Sequence, residues 1–147
     1  MQGKPTVLLV EDDDGHAFLL KSSLRKAGFQ NNVRRFSDGQ EILDFLNKIT
    51  IGSDPLSIVI LLDIRMPRLD GVEVLKQIRE DQRFTDMPVI MVTTTDDPGE
   101  MHRCMQLGCD AFLVKPMDWK QFTTRLSALA GFFSRGHRQN ETSGEDL

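Results

Sequence analysis

Five consecutive apolar residues, Ile58-Val-Ile-Leu-Leu62, end abruptly at Asp63. A run that short, bounded by polar residues, predicts a strand buried on both faces. Such strands occur inside parallel sheets that carry helices above and below. Three further segments repeat the pattern. Thr6–Val10 runs into Glu11-Asp12-Asp13, Val89–Val92 into Thr93, and Ala111–Val114 into Lys115-Pro116. Open α/β sheets place ligands in crevices at the carboxyl ends of their strands. With the four strands parallel, one rim gathers a cluster of acids, one hydroxyl and one ammonium. Acids alone suggest a metal site, whereas acids with a lysine and a threonine suggest a metal that shares a phosphate.

Helical segments alternate with these strands, the signature of βαβ units. A first helix is predicted over about 15–27, closed by Gly28 in the left-handed conformation. A short strand follows over about 32–36. Asp38-Gly-Gln-Glu41 reads as a capping box, opening a helix that buries Ile42, Leu43, Phe45, Leu46 and Ile49. Asp70-Gly-Val-Glu73 opens a third helix, with Val72, Leu75 and Ile78 inward. Asp97-Pro-Gly-Glu100 adds proline at the first helical position of a fourth, which Gly108 closes. Asp118-Trp-Lys-Gln121 opens the last, whose stripe is Phe122, Leu126, Leu129 and Phe133. Five strands and five helices thus account for the chain up to Phe133. The polar, aperiodic segment 134–147 is expected to be a disordered tail.

Taken together, Glu11-Asp12, Asp63-Ile-Arg-Met-Pro-Arg-Leu-Asp-Gly71, Thr93 and Lys115-Pro116 resemble the receiver domain of two-component response regulators. The resemblance runs from about Thr6 to about Phe133. Each motif is short, but four of them fall in the right order on the right elements. It implies a flavodoxin-like (βα)5 fold, a doubly wound five-stranded parallel sheet of order 2-1-3-4-5, with residues 1–133 as one receiver domain. It also implies a phosphoryl group accepted on Asp63 from a histidine kinase, a signalling role rather than an enzyme's turnover. Asp12 and Asp63 would then ligate Mg2+ directly, with the backbone carbonyl of Arg65 as third ligand and Glu11 acting through a bound water. These are hard oxygen donors suited to that ion. Lys115 would pair with one phosphoryl oxygen and Thr93 would hydrogen-bond another. Phe112, three residues before Lys115, would be the rotating aromatic that reports phosphorylation together with Thr93. Pro116 follows a cis bond in the family.

Composition narrows the alternatives. A formal net charge of −4 over 147 residues argues against general nucleic-acid binding. The longest apolar run is far short of a membrane span, and the amino terminus lacks the apolar core of a secretory signal, so a cytoplasmic location is expected. Cys104 and Cys109 form no zinc signature and read as small apolar packing residues. The three histidines, His16, His102 and His137, share no spacing and receive no role.

No effector segment is expected after the receiver, so output would pass through a protein-interaction surface to a downstream target. The competing reading is a phosphorelay intermediate or phosphate sink that serves a histidine phosphotransfer protein. A phosphohydrolase of the haloacid-dehalogenase type would need a second aspartate two residues after the nucleophile, where Arg65 stands. The long stretch 48–56 and the extended last helix resemble the small regulators that partner bacteriophytochrome-type kinases, some of which form homodimers. Arg65 and Thr95 occupy the variable positions expected to tune dephosphorylation, and the Arg65 guanidinium is expected to fold over the phosphoryl group.

Overall fold

The computed structural model describes residues 4–49, 57–94, 96–116 and 118–135. Its strands are β1 (Thr6–Val10), β2 (Val33–Phe36), β3 (Ile58–Asp63), β4 (Val89–Thr93) and β5 (Ala111–Val114). They form one sheet of order β2-β1-β3-β4-β5, every pairing parallel. The helices are α1 (Asp14–Lys26), α2 (Gly39–Ile49), α3 (Gly71–Glu80), α4 (Pro98–Leu107), α5 (Trp119–Ser127) and α6 (Ala130–Arg135).

All six residues of β3 are buried, as a central strand covered on both faces requires. The period-2 alternation of a strand then divides the core in two. Leu8, Val10, Ile58, Ile60, Leu62, Val89 and Met91 pack with Ile42, Leu46, Val74, Leu75, Ile78 and Cys104 beneath α2, α3 and α4. Val7, Leu9, Val59, Leu61, Ile90 and Val92 pack with Ala17, Leu20, Leu24, Phe122, Leu126, Phe132 and Phe133 beneath α1, α5 and α6.

Side-chain caps fix where the helices that follow the parallel strands begin. Side chains of Asp13, Asp70, Asp97 and Asp118 accept backbone N–H groups at the starts of α1, α3, α4 and α5. Asp38 accepts from Glu41 N, but the Glu41 carboxylate reaches Ser37 rather than closing a reciprocal box on Asp38. The first helix starts one residue before the expected Gly15 and ends at Lys26, with Gly28 beyond it at φ +94°. Gly108 closes α4 at φ +102°.

Two features depart from the five-helix expectation. A 3-10 turn, Gln82–Phe84, follows α3 and buries Phe84. The last helix is also not continuous. Leu129 N bonds to Leu126 O at 2.9 Å, and Ala128 N is shared between the Thr124 and Arg125 carbonyls. Such i−3 bonding tightens the chain and re-aims the next turn. The new direction buries the adjacent Phe132 and Phe133 together. Phe133 stacks on Phe29, and its carbonyl accepts Asn31 Nδ2 at 2.9 Å. Ser134 and Arg135 belong to α6. The expected polar tail from 136 onward, the long stretch over 50–56, and Thr95 lie outside the described residues. No cis peptide is present among the described residues, so the Lys115–Pro116 bond is trans, against the cis bond the resemblance implies.

The β3–α3 loop packs tightest. A Cβ on Gly71 would lie 2.1 Å from Asp63 O and 2.8 Å from Ile64 Cα, both backbone atoms that cannot step aside. Arg68, in the same loop, holds φ +68° without being glycine. Opposite outcomes are therefore expected within four residues. Gly71→Ala should cost about 3 kcal/mol or more, because the backbone must move. Arg68→Gly should gain about 0.5–1 kcal/mol by relieving the left-handed strain. Urea unfolding of both variants checks this, and a neutral Gly71→Ala overturns the close-approach account.

Candidate functional site

Parallel pairing places the ends of β1, β3, β4 and β5 on one rim. Glu11 and Asp12 leave β1, Asp63 ends β3, Thr93 ends β4 and Lys115 follows β5. In register, Asp63 pairs with Val92, and Thr93 pairs with Val114. Lys115 N donates to Thr93 O at 2.6 Å, which fixes the start of the lysine side chain beside β4.

The charged atoms converge. Lys115 Nζ lies 2.6 Å from Glu11 Oε1 and 3.5 Å from Asp63 Oδ2, with all three side chains under 7% exposed. Glu11, Asp12 and Asp63 each offer a carboxylate oxygen within 4.8 Å of the others; Asp12 is exposed and the other two are buried. Glu11 Oε2 accepts Asp13 N at 3.2 Å. Both Glu11 oxygens are thus engaged, and Asp12 is the one acid of the three that is exposed.

Burial pushes the Asp63 carboxyl up to about 7, and repulsion from Glu11 adds to the rise; Lys115 and the Arg65 backbone N–H act the other way. Three carboxylates against one ammonium leave two uncompensated negative charges when all are ionised. That deficit matches one divalent cation bound by oxygens. The donor set therefore fits the Mg2+ expected here.

The sequence-predicted residues Glu11, Asp12, Asp63, Thr93 and Lys115 come together. Phe112 does not enter the cluster. It is half-buried on the α2, α3 and α4 face of the sheet, opposite Met91 in register. The Arg65 guanidinium is 62% exposed and lies 3.4 Å from Glu100 Oε2 at the start of α4. A cleft of about 920 Å³ beside it, lined by Arg65, Met66, Arg68, Leu69, Val72 and Glu100 among others, adjoins the acid cluster without including it.

Two site residues were not anticipated. Arg35 on β2 donates from Nε and Nη2 to the Glu11 carbonyl at 3.0 and 2.9 Å, and from Nη1 to Asp14 Oδ1 at 2.6 Å. It clamps the loop that carries the acid pair. His16 places Nδ1 3.0 Å from Lys115 Nζ. Its position was a readable signal. His16 is three residues past the cap Asp13, and side chains in a first turn point back toward the helix amino terminus, here the site. Cys104 and Cys109 are buried and free, and burial pushes their thiols up to about 11 and about 12, so neither is a nucleophile.

Residues 7–127 match the family model of the response regulator receiver domain. The chain is 33% identical over 127 residues to a probable methanogenesis regulatory protein, FilR2 of Methanothrix harundinacea, covering 86% of this chain and 82% of that one. It spans about half the length of several other curated relatives that it matches. Among solved structures it is similar to response regulator RPA3017 in red light signaling of R. palustris (28% identity, TM-score 0.78, 92% of this chain and 99% of that one). It is likewise similar to the bacteriophytochrome response regulator AtBRR (33% identity, TM-score 0.71, 90% and 97%).

A buried carboxylate held against another acid is costly to the fold without a counter-ion. Asp63→Asn keeps the shape and removes the charge. In chelator at neutral pH it should raise stability, on the order of 1 kcal/mol. Millimolar Mg2+ should raise the melting temperature of the parent but not of Asp63→Asn. A destabilised Asp63→Asn in chelator contradicts this account of the site.

Proposed function

The chain belongs to the response regulator receiver domain family, and from that premise we propose that it accepts a phosphoryl group on Asp63 from a phosphohistidine donor and switches a protein-interaction surface. The observation that carries this reading is the Lys115 ammonium, buried between Glu11 and Asp63 at the carboxyl edge of the sheet.

In the proposed step, an Asp63 carboxylate oxygen attacks phosphorus and the P–N bond to the donor imidazole breaks. The electron pair returns to the donor nitrogen. Phosphoryl transfer of this kind depends on positioning and charge neutralisation more than on base catalysis. Asp12, Asp63 and the Arg65 carbonyl would hold Mg2+, with Glu11 acting through a bound water, and the ion would supply charge neutralisation for the phosphoryl group. Lys115, 3.5 Å from Asp63 Oδ2 beforehand, is placed to pair with one phosphoryl oxygen. Thr93, fully buried at the next strand end, is placed to donate to another.

Likeness to the bacteriophytochrome response regulator AtBRR supports a bacteriophytochrome-type kinase as donor. Output would leave through α4, β5 and α5, where Phe112 sits, toward a downstream protein or a second copy of the chain. No described helix is long and apolar enough to cross a membrane.

Incubation with phosphoramidate and Mg2+ should add one phosphoryl group by intact mass. Chelator or Asp63→Asn should abolish the addition, and Lys115→Ala should slow it at least tenfold, as expected when a charge-assisted contact to the reacting group is lost. Equal labelling of Asp63→Asn and the parent sinks the assignment.

The switch is tested separately by amide exchange with and without beryllofluoride as a phosphoryl mimic. Changes are expected in α4 and β5, and changes confined to α1 and α2 rule out the Phe112 face as the output.

A further inference from the structure

A lysine ammonium has three protons to give, and the described residues around Lys115 offer three acceptors. Glu11 Oε1 lies at 2.6 Å, His16 Nδ1 at 3.0 Å and Asp63 Oδ2 at 3.5 Å. An ammonium only donates, so His16 Nδ1 accepts, and the imidazole carries its proton on Nε2. The Lys115 side chain is 4% exposed and that of His16 38%, so the imidazole lies between the ammonium and solvent on the α1 side. Glu11 Oε2 is 4.0 Å from Nδ1, and the Trp119 ring is 6.4 Å away between centroids. The ring is thus bracketed by α5 on one side and the acid on the other.

The three acceptors are not equivalent. Asp63 is the group to be esterified, and its grip on Lys115 must loosen as the phosphoryl group arrives. Glu11 is one of the acids whose charge a cation would draw on. The neutral nitrogen of His16 takes part in neither event.

We propose that His16 is a positioning residue for phosphoryl transfer: it anchors the Lys115 ammonium while that group exchanges Asp63 Oδ2 for a phosphoryl oxygen. The proposal rests on Asp63 as phosphoacceptor. Without the anchor, the third proton of Lys115 turns to water or draws closer to Asp63, and both outcomes leave the ammonium badly placed for the incoming oxygens. His16 acts through Lys115 and touches no reacting atom, so its removal should lower the rate of the bound step and leave donor binding alone.

The experiment tracks phosphorylation of the full chain in excess Mg2+ over a series of phosphoramidate concentrations, by quench and intact mass. Three proteins are compared: the parent, His16→Ala and His16→Asn. Asparagine retains an acceptor oxygen where Nδ1 stands but no aromatic ring. The expected result is a maximal rate about fivefold lower in His16→Ala, the equivalent of one lost hydrogen bond. The half-saturating donor concentration should stay within about twofold, and His16→Asn should recover most of the rate. Thermal melts confirm that both variants fold. Equal maximal rates in parent and His16→Ala overturn the proposal. So does an Asn variant as slow as Ala, because the ring's packing near Trp119 would then be what matters. A parent that takes no label counts against the phosphoacceptor reading instead.

Discussion

Lys115 reaches from the end of β5 across the rim to Glu11 at the end of β1, passing Asp63 on the way. This buried ionic bridge is the constraint on which the rest of the structure depends. A buried ion pair is stable only where geometry and further hydrogen bonds offset desolvation. Here both Glu11 oxygens are engaged, and the ammonium has an acceptor for each proton. The cluster still carries more carboxylate charge than Lys115 offsets, and burial together with repulsion from Glu11 raises the Asp63 pKa. A divalent cation held by these acids would offset that excess.

Backbone packing around the two acid-bearing loops keeps that arrangement in place. Gly71 N bonds to Ile64 O at 2.8 Å, pulling the start of α3 against the end of β3 so closely that no Cβ fits. On the other side Arg35 clamps the Glu11 carbonyl with two hydrogen bonds. Reactive geometry held by neighbours that do not themselves react is how a site is preorganised before its ligand arrives. The left-handed Arg68 is where the short β3–α3 connection concentrates its strain.

The sheet was legible in the sequence because β1, β3 and β4 are apolar on both faces, a pattern only central parallel strands show. Four helix starts were legible because Asp38, Asp70, Asp97 and Asp118 cap through side chains, a local interaction. The break between α5 and α6 was not, because it depends on Phe133 docking against Phe29 and Asn31, about a hundred residues away. The same limit hid Arg35 and the partner of His16. The fold brings Arg35 to Glu11 and His16 to Lys115, which lie 24 and 99 positions away. Arg65 finds its partner on another element. Its distance along the chain from Asp63 is short, but Glu100 of α4 offers it a carboxylate.

A signal written on this rim has an uneven sheet to travel through. All of β3 is buried, and a strand packed on both faces yields little to a change at its end. The clamp of Arg35 likewise fixes β2 against β1. Both edge strands are less buried than β3: only Phe36 of β2 and Leu113 of β5 are buried, and Phe112 lies half-buried on the α4 side. Two groups placed to meet a phosphoryl group, Thr93 and Lys115, stand on the β5 side of β3, joined by the Lys115 N to Thr93 O bond. Movements begin where opening costs least. A rearrangement at β5 would therefore leave the core around β3 undisturbed, whereas one at β3 would not.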